Sequence, residues 1–404
     1  MSGCRVCHSA IEPFIDFGRM PLANGFLTPD EFPAEYFFNL RAAYCSRCTL
    51  VQLVEQPPRE RMFNARYPFF SATSVRMQAH FAELAVDVIT RLPPGDPFVV
   101  ELGSNDGTFL RHAAAAGIRH LGVEPSASVA TTAIGAGVAT VCRFFDTEVA
   151  REIVAAHGQA DAVVAANALS HVADLHAVVE GIALLLAPAG RCVIEDPYWG
   201  NVVAETAFDQ IYDEHASYFT LSSLSYLFAA HGLAVLDALP SDVHGGSMRY
   251  VIGWTGSTPP AARVDQLLVQ EQATGLHRPN TYSGFRGRVM ETGQALVTLL
   301  RRYQAEGTRV VGYGATSKST TTINFFGLAP ELVEFISDST PAKHGTFSPG
   351  AHIPVRPHAD FAARYPERAL LFSWNHAAEV LSKETAFARS GGKWIVYVPA
   401  LREL

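Results

Sequence analysis

Short apolar runs alternate with helical segments through the middle of the chain. A buried strand that opens into a glycine-containing turn and a helix is predicted over 98–110, and further strands are predicted at 120–125, 161–167 and 191–197. Such alternation is typical of a parallel, doubly wound sheet. The carboxyl ends of its strands form a crevice, so we expect the ligand of this region there.

A second unit of the same kind follows a break at 254–260. Helical periodicity runs over 264–303 and is interrupted near 277–280. Strands are predicted after it, and the first of them opens into a polar turn at 316–318. These features predict a smaller Rossmann-like domain. Its strands are expected at 308–315, 332–338, 369–375 and 393–399.

Four of the six cysteines form two C-x2-C pairs near the start of the chain. The pairs are Cys4/Cys7 and Cys45/Cys48, and the other two cysteines stand alone. Each pair turns two sulfurs towards one point, which suits a tetrahedral zinc ion. Two disulfides or buried free thiols are the alternatives, and a reducing cytoplasm disfavours the disulfides. Four protein ligands leave no open position, so this zinc is expected to be structural.

These patterns predict an α/β fold in four parts. Residues 1–60 form a zinc-binding module rich in aromatic and turn residues. Residues 61–93 form a connecting segment, with an amphipathic helix over 74–92. A central Rossmann-like domain is expected over 94–256, and the C-terminal Rossmann-like domain over 257–404.

Composition and charge exclude several classes of protein. Apolar residues make up 48% of the 404 residues and charged residues 17%, which excludes a disordered chain. The formal net charge is -8 and no basic run exceeds Arg301–Arg302, which disfavours a nucleic-acid partner. No apolar run reaches the roughly 18 residues of a membrane span, and the start lacks the apolar core of a signal peptide. We therefore expect a cytoplasmic enzyme, and a monomer because every apolar helix has a place in the predicted core.

The turn after the first strand of the central domain has the features of a cofactor site. Glu101 ends that strand, and glycines at 103 and 107 flank the turn. Glu124 ends the next strand, where a carboxylate can bind both hydroxyls of a ribose. The combination predicts S-adenosylmethionine; NAD is the weaker alternative, because the G-x-G-x-x-G spacing is incomplete. The predicted cofactor residues are Glu101, Gly103, Ser104, Asn105, Gly107, Glu124 and Pro125, with Phe145 and Asp146 at the adenine and Asn167 and Ala168 at the methionine part.

The stretch from 208 to 219 concentrates acid–base chemistry. It follows the fourth strand and is expected to lie over the carboxyl ends of the strands, beside the cofactor. Tyr212, Glu214 and His215 offer a phenol donor, an orienting carboxylate and a base, and Tyr218 offers a second phenol. His171 follows the third strand and is expected to reach the same crevice.

Sequence blocks in a fixed order carry a resemblance to a known family. The blocks are C-R-V-C, C-S-R-C, Y-P-F-F-S, E-L-G-S-N-D-G, N-A-L-S-H-V, I-Y-D-E-H-A-S-Y-F, H-G-G-S-M-R, G-Y-G-A, S-D-S-T-P-A-K-H-G, P-G-A-H-I-P-V and W-N-H. Over essentially its whole length the chain resembles the nucleotide-sugar C-methyltransferases of bacterial deoxysugar pathways, which make branched sugars for antibiotics. The resemblance implies a zinc module, a methyl-donor domain and a Rossmann-like domain, with the nucleotide sugar between the last two. It also adds Tyr67 and Ser71 to the cofactor site.

The resemblance implies C-methylation of a dTDP-linked 4-keto-deoxysugar. The ketone lets a base remove a proton from a neighbouring carbon, C3 or C5, with C3 favoured, and the enolate then attacks the methyl group. His215 is the expected general base and Glu214 orients it. Tyr212 and His171 are expected to donate hydrogen bonds to the enolate oxygen. A purely structural carboxylate is the alternative for Glu214.

The resemblance also implies substrate-binding residues on both sides of the crevice. The expected set is Tyr218, His244, Ser247, Arg249, Lys318, Asp338, Lys343, Asn375 and His376. Lys318 follows a strand and opens a helix, where backbone N–H groups attract anions. In the family a glycine usually follows this lysine, whereas Ser319 follows it here. A C-terminal domain that only packs or dimerises is the alternative.

The sequence leaves two other functions open. An O- or N-methyltransferase needs only a base beside the methyl donor and no adjacent ketone. A protein of another class, an adaptor, would use the zinc module to bind a protein or a nucleic acid. The acidic net charge disfavours the nucleic acid.

Overall fold

The computed structural model describes residues 3–64 and 70–404 and confirms the α/β class. Within these ranges the strands form three sheets, of four, seven and six strands. No helix of the described residues has both the length and the apolar character that crossing a membrane requires.

The N-terminal sheet is antiparallel and shares its core with the rest of the chain. Its hairpin from the second to the third strand surrounds the Cys45/Cys48 pair. Phe14, Phe38 and Leu40 pack in one apolar cluster with Ile336 of the C-terminal domain. The module therefore does not close a separate core. Its strands are β1 (Glu12–Pro21), β2 (Phe37–Tyr44) and β3 (Val51–Leu53).

The four predicted zinc ligands meet at one point. The Sγ atoms of Cys4, Cys7, Cys45 and Cys48 all lie within 4.8 Å of one another, and none is in a disulfide. Two Sγ–Sγ distances, Cys4–Cys48 and Cys7–Cys45, are 3.4 Å. Sulfur ligands at about 2.3 Å from a tetrahedral zinc lie about 3.8 Å apart. The cluster therefore fits zinc, and four protein ligands make the centre structural.

Two helices connect this module to the central domain. The predicted amphipathic helix is confirmed, and Oγ of Ser74 caps it by accepting a hydrogen bond from the N–H of Met77. Its apolar face packs Met77, Phe81 and Leu84 against the central sheet. The two helices are α1 (Arg59–Met62) and α2 (Val75–Ile89).

The central sheet has the predicted doubly wound arrangement. Its strands are β4 (Phe98–Leu102), β5 (Arg119–Val123), β6 (Thr140–Val141), β7 (Ala160–Ala166), β8 (Leu186–Pro197), β10 (Leu233–Ser241) and β11 (Ser247–Trp254), while β9 (Ser217–Tyr218) pairs with β3. The order is β10-β11-β8-β7-β4-β5-β6, and pairing is parallel from β8 to β6. The antiparallel strands β10 and β11 extend the sheet beyond β8, which the sequence did not indicate. The helices of this domain are α3 (Leu110–Ala115), α4 (Ala127–Gly135), α5 (Thr147–His157), α6 (Leu175–Leu185), α7 (Trp199–Ala204) and α8 (Leu221–Ala229).

The long helical stretch of the C-terminal part is divided as predicted. It forms α9 (Ala262–Thr274) and α10 (Pro279–Glu306), because Gly275 ends the first helix with a φ of 73° and proline begins the second. The sheet that follows has strands β12 (Val310–Tyr313), β13 (Ile336–Asp338), β14 (Val355–Pro357), β15 (Arg368–Leu371), β16 (Lys393–Val396) and β17 (Arg402–Glu403). Its order is β14-β13-β12-β15-β16-β17, parallel except at β17. The remaining helices are α11 (Ser317–Phe326), α12 (His358–Ala363), α13 (Ala377–Lys383) and α14 (Thr385–Arg389).

The zinc module holds one end of the polar stretch at 208–219. Strand β9 lies at the end of that stretch, and its Tyr218 pairs with Val51 of β3. The carbonyl oxygen of Ala216 accepts hydrogen bonds of 3.0 Å from the N–H of Leu53 and from the guanidinium of Arg5. Arg5 stands between the two cysteines of the first pair, so the metal centre and the polar stretch are mechanically connected.

Loss of the metal should therefore impair the polar stretch and leave the central sheet intact. We expect Cys45→Ser to lose zinc and methyl transfer, because four thiolates are needed to close the centre. Metal analysis, turnover and S-adenosylmethionine affinity measure these effects, and the affinity should be retained. Cys142→Ser, an exposed thiol outside the cluster, is the control and should behave as wild type. Full turnover by zinc-free Cys45→Ser would contradict the connection.

Candidate active site

A cavity of about 1040 Å³ lies between the three units of the chain. On the central side, residues that follow β4, β5 and β7 line it, as expected for a doubly wound sheet. On the C-terminal side, residues that follow β12, β13 and β15 line it. Strand ends of both sheets therefore meet one space, and the zinc module contributes Arg5 and Asn24 to its wall.

The turn after β4 lines the part of the cavity where the cofactor is predicted to bind. Gly103 has a φ of 69°, and a Cβ atom there would lie 2.8 Å from Cβ of Ala168, so a side chain would clash. The carboxylate of Glu124 accepts hydrogen bonds from the N–H groups of Asn105 (2.9 Å) and Ser126 (2.7 Å). Each oxygen of Glu124 retains a lone pair, which suits the two hydroxyls of a ribose.

Glu101 places a buried carboxyl group in the same wall. Its Oε2 atom has no hydrogen-bond partner among the described residues. Burial, reinforced by the charges of Glu124 and Asp106, raises the pKa of Glu101 well above its usual range. A buried acid without a partner calls for a ligand that donates hydrogen bonds or carries positive charge. S-adenosylmethionine has both an amino group and a sulfonium, so these residues fit the predicted cofactor.

Most of the predicted cofactor residues line this part of the cavity. Ser71 joins them by its N–H, which donates to Oδ1 of Asn105 over 3.0 Å. Gly107 does not line the cavity: a Cβ atom there would lie 2.9 Å from Cγ2 of Val138, so this glycine allows close packing behind the turn. Tyr67 lies outside the described residues. The lining set is Ser71, Glu101, Gly103, Ser104, Asn105, Glu124, Pro125, Phe145, Asp146, Asn167 and Ala168.

The acid–base loop, residues 208–219, folds around His215. Nδ1 of His215 bonds to the carbonyl oxygen of Gln210 over 3.0 Å. A carbonyl only accepts, so Nδ1 carries the proton and Nε2 is the acceptor of the neutral ring. The hydroxyl of Tyr212 donates to this Nε2 over 2.9 Å. The loop therefore presents a histidine of fixed tautomer whose basic nitrogen lies beside a phenol.

Burial sets the charge of this pair. It lowers the pKa of His215 well below its usual range, and His171 and Lys318 lower it further. Burial also raises the pKa of Tyr212 well above its usual range, with a contribution from Glu214. At neutral pH the imidazole is therefore neutral and the phenol is protonated, the states that a base and a hydrogen-bond donor require.

His171 and Glu214 flank the pair. The ring centroids of His171 and His215 are 5.3 Å apart, and His171 stacks on Phe63 at the same distance. Burial lowers the pKa of His171 to about 4, so it is neutral as well. Oε1 of Glu214 accepts a hydrogen bond of 2.7 Å from the side-chain amide of Asn24. The predicted catalytic residues His215, Tyr212, Glu214 and His171 all line the cavity.

The C-terminal side contributes two lysines. Lys318 lies in the first turn of α11, and burial lowers its pKa. Nζ of Lys343 donates to the carbonyl oxygen of Ala315 over 2.7 Å. Asp338 accepts hydrogen bonds of 2.7 Å from the N–H groups of Ala315 and Thr340, so it orders its own loop. The predicted substrate residues that line the cavity are His244, Lys318, Asp338, Lys343, Asn375 and His376.

Three predicted substrate residues lie away from the cavity, and their assignment is corrected. The hydroxyl of Tyr218 donates to the carbonyl oxygen of Gln210 (3.2 Å), so this residue braces the acid–base loop. Ser247 is fully buried in β11, which has a neighbouring strand on each side. Nε of Arg249, on the same strand, pairs with the buried carboxylate of Glu195 over 2.9 Å. Ser247 and Arg249 belong to the block H-G-G-S-M-R, whose last three residues form the start of the antiparallel strand β11. The sequence of the block does not predict this strand.

Two residues of the site were missed. Asp209 is fully buried and accepts hydrogen bonds of 2.7 Å from Nε1 of Trp374 and the hydroxyl of Tyr397. It therefore ties the acid–base loop to the C-terminal domain. Its position in the polar stretch was a usable signal. Asn24 lies in a turn of the zinc module, where no sequence feature marks it.

Family models cover most of the chain. A C-methyltransferase C-terminal domain matches residues 242–399, a methyltransferase domain matches 77–238 and a zinc binding domain matches 4–63. The C-methyltransferase NovU of Streptomyces niveus is 35% identical over 405 residues, a match that covers 99% of this chain and 96% of NovU.

Solved methyltransferase structures resemble part of the chain. Magnesium protoporphyrin IX methyltransferase of Synechocystis PCC 6803, with bound SAH, is 14% identical with a TM-score of 0.34 and covers 43% of this chain and 82% of that one. The mitomycin 7-O-methyltransferase MmcR is 18% identical with a TM-score of 0.35 and covers 46% and 56%. The full-length match to NovU and the order of the family models establish that the chain belongs to the C-methyltransferase family and is an S-adenosylmethionine-dependent methyltransferase with a structural zinc module.

Proposed function

We propose that the protein methylates a carbon next to the ketone of a dTDP-linked 4-keto-deoxysugar, with C3 favoured over C5. The observation that carries this proposal is the neutral His215–Tyr212 pair in one cavity with the cofactor turn. Carbon bound to hydrogen offers no lone pair, so its methylation needs both a base and a donor to the oxygen that becomes negative. Methylation of oxygen or nitrogen would need the base alone.

His215 is oriented to remove the proton. The carbonyl of Gln210 holds Nδ1–H, so Nε2 is the ring nitrogen that can accept. When the substrate ketone enters, the hydroxyl of Tyr212 turns from Nε2 to the ketone oxygen and leaves Nε2 to the proton on the neighbouring carbon. The proton stays on the imidazole, the electron pair of the C–H bond enters the enolate, and His171 supplies a second hydrogen bond to its oxygen.

The walls of the cavity bring the two reactants together. S-adenosylmethionine, when bound, supplies an electrophilic methyl group on a sulfonium sulfur. Glu124 and the turn at 103–105 hold the donor, and the acid–base loop holds the acceptor in the same cavity. Alignment of two bound reactants contributes much of the rate of such a displacement.

The C-terminal side suits the diphosphate of a nucleotide sugar. Lys318 combines an ammonium group with the N-terminal turn of α11, where backbone N–H groups attract anions. Lys343 and His376 line the same part of the cavity. We infer that these residues bind the diphosphate, and that His244 and Asn375 contact the sugar.

The alternatives fare differently. The hypothesis that the protein is an adaptor is wrong, because the chain belongs to a family of enzymes. Membership of the C-methyltransferase family also disfavours methylation of oxygen or nitrogen. The monomeric state, the cytoplasmic location and the domain boundaries stay predictions.

Replacement of His215 should separate base catalysis from orientation. We expect His215→Ala to abolish methyl transfer and the exchange of the sugar's α-proton with deuterated water, because both need the base that takes that proton. Tyr212→Phe keeps the ring and should slow transfer by about 10²–10³, the usual loss for an oxyanion donor. Both variants should retain S-adenosylmethionine affinity, which calorimetry measures, because the donor binds on the turns at Glu101 and Glu124.

A His215→Ala variant that keeps more than about a tenth of the wild-type rate would rule out this base, since acid–base groups contribute at least about 10². His171 would then be the next residue to test.

The neutral histidines should make the fold sensitive to acid. The pKa of His171 is lowered to about 4 and that of His244 to about 3, in both cases mainly by burial. Below about pH 6.5 these histidines take up protons in the unfolded chain but not in the folded chain. Their contribution to the free energy of unfolding is therefore complete above that pH and decreases as the pH falls towards 4. Urea unfolding at pH 7, 6 and 5 measures this fall. His171→Asn should reduce its slope, whereas His157→Asn, at an exposed position, should not; equal slopes would contradict the assignment.

A further inference from the structure

A turn of the zinc module reaches into the active site. The N–H of Gly25 donates to the carbonyl oxygen of Leu22 over 3.1 Å, which closes a turn with Ala23 and Asn24 at its centre. Ala23 is buried and Asn24 lines the cavity. The turn follows β1 of the zinc module.

Ala23 of this turn bonds both to the acid–base loop and to the C-terminal domain. The N–H of Ala23 donates to Oδ1 of Asp213 over 2.9 Å, and its carbonyl oxygen accepts from the hydroxyl of Thr320 over 2.8 Å. Asp213 and Thr320 are both buried, so water does not compete for these bonds. Asp213 belongs to the acid–base loop and Thr320 to α11, so Ala23 links these two elements.

The side chain of Asn24 forms a second link between the acid–base loop and α11. The amide nitrogen donates to Oε1 of Glu214 over 2.7 Å and to Oγ of Ser317 over 2.9 Å. An amide nitrogen has two hydrogens, so both are committed. The bond to a carboxylate is charge-assisted and therefore the stronger of the two. Glu214 and Ser317 line the cavity together with Asn24.

We propose that Asn24 is a positioning residue of the methyl transfer, which fixes the carboxylate of Glu214 against the first turn of α11. The proposal rests on the proposed function, in which His215, the residue that follows Glu214, removes the proton of the substrate. Among the described residues, the charged and titratable groups that interact with Glu214 include Tyr212 and Asp213 of its own loop and Lys343 of the C-terminal domain. Lys343 attracts this carboxylate, so we expect the carboxylate to turn towards Lys343 when the amide is removed, and the adjacent His215 to shift with it.

The effect of Asn24→Ala should fall on the chemical step. We expect kcat to decrease by about 10–100-fold, the range for loss of a group that orients a reacting side chain, while the affinity for S-adenosylmethionine is unchanged. Formation of S-adenosylhomocysteine is the readout, because it counts transfer to any atom. The product's site of methylation tests the proposed function separately, so either can fail without the other.

A double-mutant cycle with Glu214→Ala distinguishes positioning from general stability. If Asn24 acts through Glu214, Asn24→Ala should change kcat by less than about twofold once Glu214 is alanine. Losses that multiply instead would overturn the proposal.

Asn324→Ala is the matched control. This asparagine also donates two hydrogen bonds, to the carbonyl oxygens of Thr320 (2.8 Å) and Pro349 (3.0 Å), and lies outside the cavity wall. It should lower the melting temperature as Asn24→Ala does and leave kcat near wild type. Equal losses of kcat in the two variants would show that the role of Asn24 is structural.

Discussion

The hydrogen bond from Nδ1 of His215 to the carbonyl of Gln210 holds together a loop whose residues are shielded from bulk solvent and line the cavity. Burying polar groups is unfavourable unless each finds a partner, and the acid–base loop is among the most polar stretches of the chain. Hydrogen bonds within the loop satisfy some of these groups, and further partners come from outside: β3 and the turn at Asn24 in the zinc module, and Trp374 in the C-terminal domain. The conformation of the loop therefore depends on contacts with all three units.

This constraint explains why a methyltransferase domain carries two additional units. The central sheet provides the cofactor turn, because Gly103 and Glu124 contact residues that follow neighbouring strands, and the connecting segment adds a hydrogen bond from Ser71. The acid–base loop has hydrogen bonds of its own but also depends on the other two units. The zinc centre fixes the strand that pairs with β9, and the C-terminal domain fixes Asp209 through Trp374 and Tyr397. Binding of the donor and activation of the acceptor therefore rest on separate parts of the structure.

The sequence predicted those features that depend on local pattern. The parallel strands, the break between α9 and α10 and the convergence of the four cysteines follow from periodicity, Gly/Pro positions and ligand spacing. The cofactor turn was also predictable, because its acidic residues end adjacent strands.

Features set by tertiary packing were not predictable in the same way. Ser247 and Arg249 share a sequence block with His244, yet β11 buries one and pairs the other with Glu195. Asn24 is 190 positions from Glu214, so no local pattern could join them. The zinc module packs its apolar face into the cluster that contains Ile336, which a division into independent units does not anticipate.

The position of the transferred methyl group tests the central claim most directly. Wild-type protein would be incubated with S-adenosylmethionine carrying a ¹³C methyl group and with a dTDP-linked 4-keto-deoxysugar, and the product examined by NMR. C-methylation through an enolate predicts that the labelled carbon is bonded directly to a ring carbon next to the ketone. A labelled methyl group on oxygen or nitrogen would contradict the account.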